Sequence, residues 1–231
     1  SILVGSSHGH LTWFPGGNSM CRRGPRSCRP HTSTVTQLSV DCLLPEGSAG
    51  GVPLEAAGDG VTQCGRAVDM RWLAATGCQD GSVVITSLDS GQAVFTTRIS
   101  STSIIGLHFE DMALAVSNAS GGLHVILLTS EFDASSNRLT GLKEIDRVSL
   151  LEEGCNPAQV PAERRPTTTG SVASVGLRLV HRPACSAKAE ARPPSPGGEQ
   201  LARFRLIAYD LDGSVVIWSL KPRQVVRSFK C

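Results

Sequence analysis

The sequence predicts an all-β chain of about four repeated four-stranded antiparallel units, and three observations carry the prediction. The first is a recurrence: Asp80-Gly81-Ser82-Val83-Val84-Ile85 returns letter for letter as Asp212-Gly213-Ser214-Val215-Val216-Ile217. Asp-Gly suits the tight turn of a two-strand hairpin, and the β-branched run after it favours extended backbone. The second is a pair of weaker copies, Ser7-His8-Gly9-His10-Leu11-Thr12 and Ser120-Gly121-Gly122-Leu123-His124-Val125. Four copies make a repeat, which names a scaffold more readily than a function. The third is spacing. With Gly9, Gly81, Gly122 and Gly213 as register marks, the step from Gly81 to Gly122 is 41 residues, enough for four strands and short turns. The steps of 72 and 91 on either side hold insertions at 45–66 and 183–203, which are rich in Gly, Pro, Ala and Ser and lack an apolar period.

The units follow in order at about 1–30, 31–100, 101–152 and 167–231, one segment of a single domain. In the first, Ile2 to Gly5 and Leu11 to Phe14 read as strands, and residues 19–30 run through a short outer strand into a basic loop. This unit lacks its innermost strand. The second starts at His31, with strands over Val35 to Leu44, Ala67 to Thr76, Ser82 to Leu88 and Ala93 to Ile99. Val83 and Ile85 point to one face and Val84 to the other, so both faces of that strand are covered, as in sheets stacked between sheets. The third has strands over Ile104 to Phe109, Met112 to Ser117, Leu123 to Thr129 and Leu142 to Leu151. Lys143, Glu144, Asp146 and Arg147 mark its last strand as a solvent-facing edge, because edge charge discourages pairing with another chain. The fourth has strands over Val172 to Val180, Arg203 to Tyr209, Ser214 to Leu220 and Gln224 to Phe229.

Composition limits what such a stack can do. In 231 residues, 40% hydrophobic and 18% charged, there is enough apolar material for a core. The formal charge of +2 provides no bulk field for nucleic acid or a membrane surface. No apolar run approaches the length that spans a bilayer, and the first residues do not follow the pattern of a secretory signal. The expectation is an intracellular protein, cytoplasmic or nuclear. The chain opens on Ile2-Leu3-Val4 without an initiator Met, from which we expect a piece of a longer polypeptide. The eight cysteines show no disulfide framework and are read as reduced. Cys21, Cys28 and His31 come nearest to a metal pattern, but their spacing fits no common zinc motif. The sequence therefore predicts no metal and no cofactor.

Stacked four-stranded units of this length describe a β-propeller, and fifteen strands make three full blades and most of a fourth. Propellers usually close with four to eight blades, so either further blades lie outside this chain, which we expect, or the four units curl into a small closed ring whose first blade is one strand short. The blades resemble the WD40 class. In that class a His before the first strand, a Ser or Thr in the second, an Asp in the next turn and a Trp in the third form a hydrogen-bonded set. The second unit offers His31, Thr76 and Asp80, with Thr86 in the place of Trp. The fourth offers Asp212 and Trp218, with Ala208 in the place of Ser or Thr. The resemblance implies that His31, Thr76, Asp80, Gly81, Gly122, Asp212, Gly213 and Trp218 build blade turns, and that the turn-side surface near Asp80, Gly121 and Asp212 is the docking face.

Catalytic patterns do not fit. Gly5-Ser6-Ser7-His8-Gly9 matches a nucleophile elbow in letters, but an elbow turns from a strand into a helix and this stretch leads into another strand. His8 and His10 with Asp41 or Asp69 can be drawn as an acid-base group, yet each has a turn or strand role. No enzyme is expected. Arg22, Arg23, Arg26 and Arg29 are the candidate nucleic-acid contacts, without an interleaved aromatic for base stacking. Asn118-Ala119-Ser120 matches a glycosylation acceptor by chance composition, and Ser195-Pro196 is a candidate phosphorylation site in an insertion. The expected function is a scaffold for protein partners, completed by further blades of the same longer chain. The alternative is a propeller subunit that binds RNA or DNA through the basic loop 22–29.

Overall fold

A computed structural model describes residues 2–14, 24–43, 71–133, 138–151, 172–179, 201–210, 213–221 and 223–230. Their strands form four antiparallel sheets, in each of which every strand hydrogen-bonds to its neighbour in sequence. The first sheet holds β1 (Ile2–Gly5), β2 (Leu11–Phe14) and β3 (Arg26–Cys28). The second holds β4 (Val35–Leu43), β5 (Arg71–Cys78), β6 (Ser82–Ser87) and β7 (Ala93–Arg98). The third holds β8 (Ile104–Glu110), β9 (Ala113–Asn118), β10 (Leu123–Phe132) and β11 (Leu139–Leu151). The fourth holds β12 (Val172–Leu179), β13 (Phe204–Asp210), β14 (Ser214–Leu220) and β15 (Arg223–Lys230). The insertion 45–66 and most of 183–203 lie outside the described residues.

Side-chain alternation decides how the sheets stack. In β6, Val83 and Ile85 join Leu73 and Ala75 of β5 in a core shared with Ile104, Phe109, Leu114, Val116 and Ile126 of the third sheet. The other face of the third sheet, with Ala113, Ala115, Leu123, Val125 and Leu127, meets Phe204, Leu206, Val216 and Trp218 of the fourth. Both faces of the third sheet are therefore buried, which is why β9 is buried along its whole length. Polar pins reinforce the joint between the second and third sheets: Thr36 Oγ1 donates to the Ile104 carbonyl at 2.6 Å, and Ser39 Oγ accepts from the Phe109 amide at 2.9 Å. On the outer edge, Arg147 clasps Glu144 with two hydrogen bonds of 2.7 and 2.9 Å and reaches Thr97 of β7 at 3.0 Å.

The first sheet joins the second through backbone. Val35 donates to the Ser6 carbonyl at 3.1 Å, and Thr34 Oγ1 donates to the Ser7 carbonyl at 3.1 Å. The register Leu3↔Trp13 and Gly5↔Leu11 turns these residues toward the second sheet, where Val35 would crowd a Cβ on Gly5. Ile2, Val4 and Phe14 then face away and stay 63%, 49% and 37% exposed. At the far end, Tyr209↔Val215↔Phe229 share the face of the fourth sheet that points away from the third, and Tyr209 and Phe229 are each 46% exposed.

Several boundaries differ from the sequence expectation. Positive φ falls on Gly9, Gly81, Gly121 and Gly213, so in the third sheet the left-handed turn residue is Gly121, one position before the register mark Gly122. Met112, expected in a strand, is in a turn. The Glu110↔Ala113 pairing leaves only two residues to connect β8 and β9, and both Asp111 and Met112 take positive φ, 47° and 61°. β5 continues two residues beyond Thr76, to Cys78, because Gly77 still pairs with Val83.

Candidate functional site

The turn between β5 and β6 brings most of the singled-out polar residues together. Gly81, at φ +81°, lets its turn lie against the strand-connecting segment after β7: a Cβ there would sit 2.3 Å from the Ser100 carbonyl oxygen. Asp80 precedes it and its carboxylate accepts the Ser82 amide at 2.9 Å, closing the turn from within. His31, 5% exposed, enters from the segment before β4. Its Nε2 lies 2.9 Å from Thr76 Oγ1 and its Nδ1 lies 3.0 Å from Ser82 Oγ. Thr76 Oγ1 donates to the Val84 carbonyl at 3.1 Å, so it accepts from His31, which puts the imidazole proton on Nε2.

The electrostatics follow from burial. Removal from water pushes the His31 imidazole below its ordinary value, against the opposing pull of the Asp80 charge and the bond at Thr76. Burial pushes the Asp80 carboxyl up, but the Ser82 hydroxyl and amide, the Cys78 thiol and the His31 charge outweigh it and leave the carboxyl below its ordinary value. Neutral imidazole beside ionised carboxylate is therefore the resting arrangement.

Other candidates fall elsewhere. Trp218 is 1% exposed in the core between the third and fourth sheets, while Asp212 lies outside the described residues. Gly213 takes φ +83° in the corresponding turn. Gly122 donates its amide to Asn118 Oδ1 at 2.9 Å. Arg22 and Arg23 lie outside the described residues, Arg29 is exposed, and Arg26 donates to the Asp89 carbonyl at 2.8 Å, joining the first sheet to the turn after β6. The structure does not assemble the acid-base group drawn from His8, His10 and Asp41. The two histidines flank the β1–β2 turn, whereas Asp41 near the far end of β4 accepts the amides of Cys42 and Asp111 at 2.8 and 2.7 Å. Asp69 and Ser195 lie outside the described residues. Ser7 Oγ is 3.2 Å from His8 Nδ1, but both are exposed in a turn that leads into β2, not into a helix.

Sequence reasoning missed three polar groups. Ser82 stands between His31 and Asp80, a role that the repeat concealed because Ser also occupies the ordinary hairpin position. Cys78, read as a small hydrophobe, has its sulfur 3.0 Å from Ser33 Oγ. Asn118, the residue of the apparent glycosylation acceptor, is 0% exposed, and its Oδ1 accepts from the Ser120 amide, the Ser120 hydroxyl and the Gly122 amide. It is a turn cap, closed to a glycan. On the opposite rim, Asp41, Leu43, Leu73, Phe109, Asp111 and Met112 line a cleft of about 130 Å³. Among the described residues no helix is long and apolar enough to cross a membrane.

Sheets of four antiparallel strands, stacked face to face with their short turns on common rims, define a β-propeller. A solved β-propeller domain shares this fold. The chain is similar to the Cps50 (Swd1) β-propeller domain of Myceliophteria thermophila, with 15% identity and a TM-score of 0.50 over 99% of this chain and 51% of that one. A chain of a mitotic checkpoint complex is similar at 12% identity and a TM-score of 0.49, over 99% of this chain and 47% of that one. At such identities the likeness is one of fold. The chain spans about half the length of these solved chains. No family model matches it, and no curated protein matches it.

Proposed function

We propose that the chain is a non-catalytic scaffold for protein partners in an intracellular complex, and that further blades of the same longer polypeptide cover its two outer faces. The observation that carries this reading is the contrast between filled and open faces. The joints between the second and third sheets and between the third and fourth are closed by continuous apolar cores, while the outer faces leave Ile2, Val4 and Phe14 at one end and Tyr209 and Phe229 at the other between 37% and 63% exposed. Full burial of such a side chain contributes about 1.5–3 kcal/mol, so covering both ends is strongly favoured. A stack held this way presents its turns and loops as a rigid rim, where contact residues vary without disturbing the core. The rim near Asp80 and Gly121 is the proposed docking face. Arg26, engaged with Asp89, supports the protein reading over the nucleic-acid one.

Sedimentation of the purified chain at several concentrations, with a dye that reports apolar surface, tests the reading. Expected are self-association or dye binding, both reduced by Val4→Lys together with Phe229→Lys. A compact monomer that binds no dye refutes the covered-face part. Binding of DNA or RNA oligonucleotides that weakens steeply with salt refutes the choice of protein partners.

A further inference from the structure

We propose that His31 Nδ1, Cys78 Sγ and the Asp80 carboxylate form a binding site for a zinc-class divalent cation at the β5–β6 turn. Their ligand atoms lie within 4.8 Å of one another, and no other group of three such side chains comes together among the described residues. Nitrogen, thiolate sulfur and carboxylate oxygen are the donor types zinc takes. His31 and Cys78 are buried and Asp80 is half-buried, so the set is walled on the protein side and opens to solvent past Asp80.

The hydrogen bonds orient the donors. Because Thr76 Oγ1 gives its hydrogen to the Val84 carbonyl, His31 must donate from Nε2, and its Nδ1 lone pair accepts the Ser82 hydroxyl, which a cation would displace by rotation of that side chain. A partner that fixes the remote ring nitrogen is what holds a metal-bound histidine in place. Asp80 is held by the Ser82 amide in a turn that Gly81 locks against Ser100. Bonds of about 2.0–2.3 Å place tetrahedral ligand atoms roughly 3.3–3.8 Å apart, so the set closes by about 1 Å, within reach of small rotations of Cys78 and Asp80. The fourth position falls to Ser82 Oγ or a water. On binding, the Cys78 thiol releases its proton to solvent, the thiolate bonds the cation, and Ser33 Oγ at 3.0 Å is free to donate to the sulfur. The bound cation would tie the segment before β4 to the β5–β6 turn. This goes beyond the scaffold reading and stands or falls apart from it.

The test is titration of the purified, reduced chain with Co²⁺, whose absorption reports tetrahedral geometry and thiolate ligation. One equivalent is expected to bind, with a thiolate charge-transfer band and tetrahedral ligand-field bands, and Zn²⁺ should displace it. Cys78→Ala should abolish the charge-transfer band, and Asp80→Asn should weaken binding by about tenfold or more. Cys28→Ala should leave the spectrum unchanged. Circular dichroism checks that each variant is folded, and Asp80→Asn decides the matter if Cys78→Ala is not. Absence of tetrahedral bands at excess Co²⁺ overturns the proposal. So does a charge-transfer band that survives in folded Cys78→Ala, or binding unaffected by Asp80→Asn.

Discussion

Replacing Gly81 by alanine should destabilise the protein far more than the same change at Gly121, although both residues have nearly the same backbone, φ +81° and +89°. Holding an L-residue in the left-handed region costs about 1 kcal/mol at either site. Only at Gly81 does the new methyl meet fixed atoms. It would lie 2.3 Å from the Ser100 oxygen and 2.7 Å from the Thr102 oxygen, whereas no described atom lies within 4 Å of a Cβ on Gly121. Carbonyl oxygens cannot rotate away as a side chain does, and Ile99 already donates to the Gly81 carbonyl at 3.0 Å. Relief therefore requires the turn and the segment after β7 to part by about an ångström, which loosens the joint between the second and third sheets. We expect about 1 kcal/mol for Gly121→Ala and about 3 kcal/mol or more for Gly81→Ala. At about 2–4 °C per kcal/mol for a chain of this size, the Tm shifts are about 2–4 °C and about 6–12 °C. Gly9→Ala should follow Gly81, because its Cβ would lie 2.2 Å from the His31 oxygen. Thermal melts followed by circular dichroism measure all three. Equal shifts at Gly81 and Gly121 would refute the claim that the turn glycine serves the contact between sheets as well as its own turn.

Thr86 is 1% exposed and its hydroxyl has no hydrogen-bond partner among the described residues, so Thr86→Val should raise stability by about 1 kcal/mol in urea titrations; a loss would mean that the hydroxyl is satisfied. Trp218→Ala should lower stability by about 3–5 kcal/mol in the same assay, since the indole is 1% exposed in the core between the third and fourth sheets. His31 should make stability fall in mild acid. Its folded value is lowered by burial, so below the unfolded value of about 6.5 the unfolded chain takes up a proton that the folded chain refuses. The expected loss begins as pH drops through 6.5, with a slope of at most about 1.4 kcal/mol per pH unit, and His31→Gln should flatten that part of the profile.

Strand existence was legible because turn chemistry is local. Gly at positive φ and β-branched residues after it are required by the hairpin itself, so Ser214–Leu220 could be placed from the letters alone. The Met112 error shows where this ends. The Asp111-Met112 turn has left-handed φ at two non-glycine residues, and the tertiary hydrogen bond from the Asp111 amide to Asp41 of β4, 2.7 Å long, helps to hold it. No local pattern reports a partner 70 residues away. The site shows the same division. His31, Thr76 and Asp80 could be named from a family pattern, but the insertion of Ser82 between imidazole and carboxylate depends on where the β5–β6 turn aims its first hydroxyl. Cys78 looked apolar because it ends an apolar strand, and only the arrival of Ser33 and Asp80 in space gives its sulfur polar company.

The position five residues after the left-handed glycine of each of the four repeated turns shows why the glycine recurs while the residue at that position varies. That position holds Phe14, Thr86, Ile126 and Trp218. Ile126 packs toward the second sheet and Trp218 toward the third, and Thr86, opposite in face to Val83 and Ile85, looks toward the first. Each therefore addresses the sheet before its own, and its size must match the space that sheet leaves. Trp218 shares its core with Ala113 and Ala115 of β9, whereas Ile126 shares its core with Leu73 and Ala75 of β5. Phe14, whose outward face meets no described sheet, is the exposed member at 37%. A bulky apolar residue is thus demanded only where a neighbour leaves room, while the glycine recurs in each of the four repeated turns. The glycine turn is accordingly the feature common to all four units, and a tryptophan stands at that position in one.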